Sequence, residues 1–199
     1  WESFQEFLAA LRKNGLESNT ALFISHGVLR QAVHGEAPGI LAADQIEAMR
    51  SLAADAFRAG AAGLSFGFIY LPAVFADRRE IEALVKLCGK HDKLISVHLR
   101  SESDEMISAL LVMAELCGRY SCRLHISDLK GIGKRNAGKI RKALDIIEQN
   151  TITFDSYPYN FGSTTLLSVL PPFLFSQEAE GGTETQDIRA AALKKLSDP

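Results

Sequence analysis

Two stretches of the chain carry metal-capable or charged side chains to the end of an apolar run. Leu94-Ile-Ser-Val-His98 continues into Leu99, Arg100, Ser101 and Glu102, and Arg123-Leu-His-Ile-Ser-Asp128 continues into Leu129 and Lys130. Each reads as a short buried parallel strand with its chemistry at the C-terminal end. An imidazole such as His98 is there either a metal ligand or a core histidine held by a neighbour. Asp128 cannot be buried alone, so it meets a metal, or it pairs with Lys130 or Arg100. Spacing by itself favours the ion pair. Between the two runs, Met106, Ile107, Leu110, Leu111, Met113, Ala114 and Cys117 form a helical stripe. A strand, helix, strand unit sets its strands about 5 Å apart, which lets His98 and Asp128 meet if they stand at matching heights.

The remaining histidines are less pointed. His125 falls on the opposite side from residues 124, 126 and 128 by strand parity, and reads as structural. His26 ends an earlier apolar run, 20–25, and either reaches the same mouth or stabilises the turn at Gly27. His34 and His91 read as surface residues. Tyr157-Pro-Tyr159 with Ser163 is either a ring-packed turn or a substrate-holding loop, since it follows a strand.

Elements must place these groups. Phe4, Phe7, Leu8 and Leu11 mark a first helix closed by Gly15; Asp44, with Glu47 three residues on, reads as the cap of a helix that reaches Gly60; Asp77 caps another through Leu87. Ile140, Ala143, Leu144 and Ile147 mark a further helix, and a last one spans about 187–196. Strands near 20, 62, 94, 123 and 151 recur at the roughly 30-residue interval of parallel strand and helix units. Such a count fits about five units of an eight-unit (β/α)8 barrel, and also an open doubly wound sheet. The Gly131-Ile-Gly133 turn lacks the rest of a dinucleotide-binding fingerprint.

The totals narrow the function classes. At 199 residues, with 47% hydrophobic residues, a net charge of −2 and a mean hydropathy of +0.03, this is ordinary globular composition. No basic run marks a nucleic-acid footprint, and no apolar run is long enough for a membrane span. With no signal-peptide pattern, the expectation is a cytoplasmic protein. Cys88, Cys117 and Cys122 fit neither a metal pattern nor a disulfide framework and read as reduced, buried thiols. A start at Trp1 inside a helical pattern and an end at Pro199 as another helix closes give the expectation of a piece of a larger protein.

Several motifs share one resemblance. Ser25-His-Gly-Val-Leu-Arg30, Gly63-Leu-Ser-Phe-Gly-Phe-Ile-Tyr-Leu-Pro72, Val97-His-Leu-Arg-Ser-Glu102, Ile126-Ser-Asp-Leu-Lys130, and Asp155-Ser-Tyr-Pro-Tyr159 with Gly162-Ser-Thr164 together resemble the D-aminoacylase family, in the family's order over nearly the whole chain. These are N-acyl-D-amino-acid deacylases of the amidohydrolase superfamily. The resemblance implies an α/β fold, a (β/α)8 barrel here present in part. It also implies zinc that activates water against the N-acyl bond of a small N-acyl-D-amino acid. It puts His98 on a metal-binding histidine, and Lys130, Tyr157 and Ser163 on positions that bind the substrate carboxylate or its scissile region, with Tyr157 also steadying the oxyanion. Asp128 departs from the family, which has a metal-binding histidine there; a carboxylate can bind zinc but is shorter and makes the bound water less acidic. The family's opening His-x-His, its cysteine ligand and its general-base aspartate have no counterpart in this sequence. The expectation is therefore the middle of a deacylase barrel that is inactive alone. Its rival is a non-catalytic barrel homologue or binding domain that lost its metal site through Asp128.

Overall fold

The computed structural model describes residues 1–164; the expected helix at 187–196 lies outside them. The order is α1 (Phe4–Asn14), β1 (Phe23–Ser25), α2 (His26–His34), α3 (Ala43–Ala59), β2 (Gly63–Gly67), α4 (Arg78–Lys90), β3 (Leu94–His98), α5 (Met106–Arg119), β4 (Leu124–Ile126), α6 (Lys139–Gln149) and β5 (Thr153–Phe154), with 3-10 turns at Ala73–Phe75 and Lys134–Asn136. All five strands are parallel and stand in chain order β1-β2-β3-β4-β5. Successive helices pack on one another from α2 to α6 in a single layer. A doubly wound sheet would reverse its strand order and place helices on both faces. One-way succession with one helical layer is the barrel alternative, five units of it.

Alternation along the strands divides the two faces. Leu64, Phe66, Ile95, Val97, Leu124 and Ile126 point under the helices and are buried to 4% exposure or less. Burying each such side chain contributes about 1.5–3 kcal/mol. The other face carries Gly63, Ser65 and Gly67 on β2, Ser96 and His98 on β3 and His125 on β4, kept level by the pairs Ser65 with Ser96, Gly67 with His98, and Ser96 with His125. Gly63 is there for room: a Cβ would stand 2.1 Å from the Leu94 carbonyl oxygen and 2.5 Å from the Phe23 ring.

The helices start and stop as local chemistry requires. Ser3 Oγ accepts from the Glu6 amide (3.1 Å) to open α1, and Asp77 Oδ1 accepts from the Glu80 amide (3.0 Å) to open α4. Asp44 is not the cap of α3. The chain enters one residue pair earlier, at Ala42, whose amide donates to Gln45 Oε1 (2.9 Å), and Asp44 sits in the first turn. The chain also turns directly from Ser25 into α2, because Leu29 and Arg30 bury on one side of that helix.

One stop signal is used four times. At the ends of α3, α4, α5 and α6 a residue of positive φ, Gly60, Asp92, Ser121 or Thr151, turns the chain, and the next amide donates back five residues: Ala61 to Ala56, Lys93 to Cys88, Cys122 to Cys117 and Ile152 to Ile147, at 2.8–3.0 Å. This is the Schellman closure, and it feeds each helix into the following strand at the same end of the sheet. Three of the four left-handed positions are not glycine.

Behind the first two units lies a buried ion group. His26 Nε2 and Glu80 Oε1 are 2.6 Å apart, Arg30 donates to Glu80 and to the Gly39 carbonyl, and all three side chains have no solvent exposure. His26 thus bonds inward to α4, against Phe66 at 5.0 Å. His34 and His91 are half-buried, not surface residues: Gln45 Nε2 meets His34 Nδ1 at 3.0 Å, and the His91 ring lies 5.8 Å from that of Phe57. Among the described residues, no helix is long and apolar enough to cross a membrane.

Candidate active site

Charged side chains gather where the strands end. His98 closes β3 beside Gly67, whose missing side chain leaves room for the Tyr70 ring, 2.9 Å from where a Cβ would stand. That ring meets the imidazole edge-on at 6.2 Å. Nδ1 of His98 is buried without a hydrogen-bond partner and lies 3.8 Å from Glu102 Oε1. Glu102 is itself buried, and its Oε2 pairs with Lys130 Nζ at 2.7 Å. The Glu102 carbonyl also receives the Ile132 amide at 2.6 Å, which ties the end of β3 to the loop after β4. Lys130 donates further to the Asp128 carbonyl (3.1 Å) and stands 6.0 Å from the centre of the Tyr157 ring.

Asp128 is held differently from what spacing favoured. Its carboxylate is not the partner of Lys130, which takes Glu102, nor of Arg100. Arg100 donates to the Val74 and Ala76 carbonyls at 2.7 Å each and lies over Phe68. Burial pushes the Arg100 pKa down. Asp128 has φ 56, and its amide donates to Asp155 Oδ1 at 2.6 Å. Asp155 Oδ2 meets His125 Nε2 at 2.8 Å and accepts from Ser127 Oγ at 3.4 Å. The Asp155 carbonyl takes the Leu129 amide (2.8 Å), and Ser156 Oγ donates to the Leu129 carbonyl (3.0 Å). The end of β5 thereby grips the whole 127–129 turn. The Asp128 amide and the His125 ring hold the Asp155 carboxyl below the usual carboxylate range.

His125 faces away from Leu124 and Ile126, as strand parity has it, and that is the face that carries His98. The pairs Ser96 with His125 and Val97 with Ile126 put it one pleat below His98, and the same register carried on puts Ser127, not Asp128, beside His98. Parity counted back from Asp128 fails because the strand ends at Ile126 and the chain turns left-handed before the aspartate.

Three expected residues, His98, Lys130 and Tyr157, are thus linked in space through Glu102. Ser163 is exposed on the loop beyond Gly162, where an added Cβ would lie 3.2 Å from Tyr157 Oη. Tyr157, Tyr159 and Phe161 stack in turn at 4.8 and 5.4 Å. Sequence reasoning gave Glu102 and Asp155 no role, although each was visible as an acid just past an apolar run. Among the described residues no three His, Cys, Asp or Glu side chains converge to hold a metal ion. His98 supplies one unclaimed nitrogen, so the described residues by themselves do not complete a zinc site.

No protein-family model matches the chain. It is 32% identical over 170 residues to a D-aminoacylase of Alcaligenes xylosoxydans xylosoxydans, covering 83% of this chain and 35% of that protein. The chain is a homologue of the D-aminoacylases. A crystal structure described as defining D-aminoacylase as a novel subset of amidohydrolases superposes with a TM-score of 0.76 at 32% identity, over 80% of this chain and 34% of the other. The N-acyl-D-glutamate deacylase of Bordetella bronchiseptica, solved with zinc and a phosphonate mimic of the tetrahedral intermediate, gives a TM-score of 0.77 at 26% identity, over 80% and 35%. This D-aminoacylase homologue spans about a third of the length of the relatives it matches. The match confirms the α/β barrel reading of the fold.

Proposed function

We propose that this chain is the central part of a metal-dependent barrel hydrolase that cleaves the N-acyl bond of N-acyl-D-amino acids, the flanking strands coming from the rest of the protein. The observation that carries the proposal is the line His98, Glu102, Lys130, Tyr157 at the C-terminal mouth of a D-aminoacylase-like sheet. His98 Nδ1, and Asp128 on the next turn, are this chain's contribution to a zinc site. When bound, zinc would supply an acidified water at neutral pH. Lys130, paired with the buried Glu102 side chain, binds the carboxylate of a small N-acyl-amino-acid substrate, with Ser163 as a second donor. Tyr157 Oη donates to the carbonyl oxygen as negative charge gathers there. Three unpaired cysteines suit a cytoplasmic location.

One observation favours the alternative, a barrel that binds without catalysis. Asp128 stands where the family has a metal-binding histidine, and the described residues complete no metal site. Zinc content and hydrolysis of N-acetyl-D-amino acids by the full-length protein decide between them. Stoichiometric zinc with turnover of the D and not the L series supports the deacylase; neither metal nor turnover supports the alternative.

A further inference from the structure

The repeated helix closure places three thiols together at the end of the sheet remote from the candidate site. In a Schellman motif the third residue from the helix end faces the second residue past its cap. In α5 these are Cys117 and Cys122, joined by the Cys122 amide to the Cys117 carbonyl at 2.8 Å. The same motif one unit earlier has Cys88 at the helix position and Lys93 past the cap. Lys93 lies level with Cys122 across the β3–β4 pairing, and Cys122 Sγ donates to its carbonyl at 3.4 Å. The backbone bonds of these two turns bring Cys88 and Cys117 to the strand ends that carry Lys93 and Cys122. All three are free and buried, and Cys122 is the least enclosed, at 9% exposure against 2% for Cys117 and none for Cys88.

We propose that Cys122 is an oxidation site for hydroperoxides and that Cys117 resolves it as a disulfide. The electronic setting agrees with the geometry: two thiol donors and the nearby Arg123 lower the Cys122 pKa against burial, while Cys88 and Cys117 are raised. A thiolate is the nucleophile in such chemistry. The Cys122 sulfur attacks one peroxide oxygen; the S–O bond forms, the O–O bond breaks, and the leaving hydroxide takes up a proton as water. The Cys117 sulfur then attacks the sulfenic sulfur; the S–S bond forms, the S–O bond breaks, and a second water leaves with the Cys117 proton. Two thiols lose two electrons and the peroxide gains them. Four residues lie between the pair, and the bond from the Cys122 amide to the Cys117 carbonyl holds their backbones together. Cys88 is the reserve partner.

Peptide mapping of the full-length protein tests this. The reduced protein is exposed to hydrogen peroxide, unfolded in acid with an alkylating blocker, and cut with trypsin without reduction. Arg119 lies between Cys117 and Cys122, so a disulfide joins two tryptic peptides with the loss of two hydrogens. The expected result is a fall from three to one blockable thiols among Cys88, Cys117 and Cys122, with the joined peptide present. Cys122→Ser abolishes the cross-link, and Cys117→Ser moves it to Cys88. Unchanged alkylation of all three in the peroxide-treated wild type overturns the proposal. So does a Cys88 to Cys117 disulfide that survives Cys122→Ser.

Discussion

Glu102 Oε2 forms an ion pair with Lys130 Nζ at 2.7 Å, and the carboxylate in that pair is almost fully enclosed. The pair joins the end of β3 to the loop after β4, and it brings the ammonium to the mouth beside Tyr157. Breaking a buried pair by removing one partner strands the other charge, which costs about 3–5 kcal/mol, whereas removing both can be close to neutral. Lys130→Ala is therefore expected to lower stability by about that amount, and Lys130→Ala with Glu102→Ala to recover most of it, as measured by urea unfolding. Equal losses in the single and double variants would mean that the pair carries no coupling.

The same lysine has a kinetic signature under the proposed activity. Lys130→Ala raises KM for N-acyl-D-amino acids with a free carboxylate by about ten- to a hundredfold, the worth of a charge-assisted contact of about 1.5–3 kcal/mol, and leaves the corresponding amides little changed. A uniform rise in both substrates would assign Lys130 to structure alone.

Asp155 holds the turn that carries Asp128. Asp155→Asn keeps the side-chain shape but removes the charge that accepts from the Asp128 amide and the His125 ring. Hydrogen exchange in residues 127–130 should speed up in that variant, with the rest of the sheet unchanged. Because the folded carboxyl sits below its unfolded pKa, its stabilisation is present above the unfolded value, about 3.9, and is lost as pH falls through the folded value. Stability of the wild type should fall with pH below about 4, and Asp155→Asn should shallow that fall. An identical acid limb in both proteins contradicts the role given to Asp155.

Asp128→His tests the metal reading. Histidine is among the residues that tolerate positive φ, so the turn can accept it. The substitution is expected to raise zinc affinity of the full-length protein or its rate on N-acetyl-D-amino acids. Unchanged metal content and rate would mean that Asp128 does not face the metal.

The left-handed closures carry strain that glycine would relieve. A non-glycine residue in that region costs about 1–2 kcal/mol and glycine adds about 0.5–1 kcal/mol of unfolded-chain entropy, so Thr151→Gly should stabilise by about 0.5–1 kcal/mol, with Asp92→Gly and Ser121→Gly somewhat less. Gly60→Ala should destabilise by a similar amount. Urea midpoints of the four variants measure both signs.

The sequence by itself determined the local periods and what ends them. The apolar run at β3, the helix opened by Asp77, the five recurring units and a histidine at the close of a strand all depend on residues a few positions apart. Its family motifs also placed His98, Lys130 and Tyr157 near one mouth. Only the tertiary structure decided which groups stand level. His125 joins the His98 face because β4 pairs with Ser96 and Val97, and that register is made by hydrogen bonds between segments about thirty residues apart. Lys130 takes Glu102 and not Asp128 because the 127–129 turn is held by Asp155 from β5. Glu80 closes on His26 and Arg30 from 54 and 50 positions away. A residue's side of its own strand is a local matter of alternation, but the partner of a buried charge is set by whichever strand or helix arrives beside it.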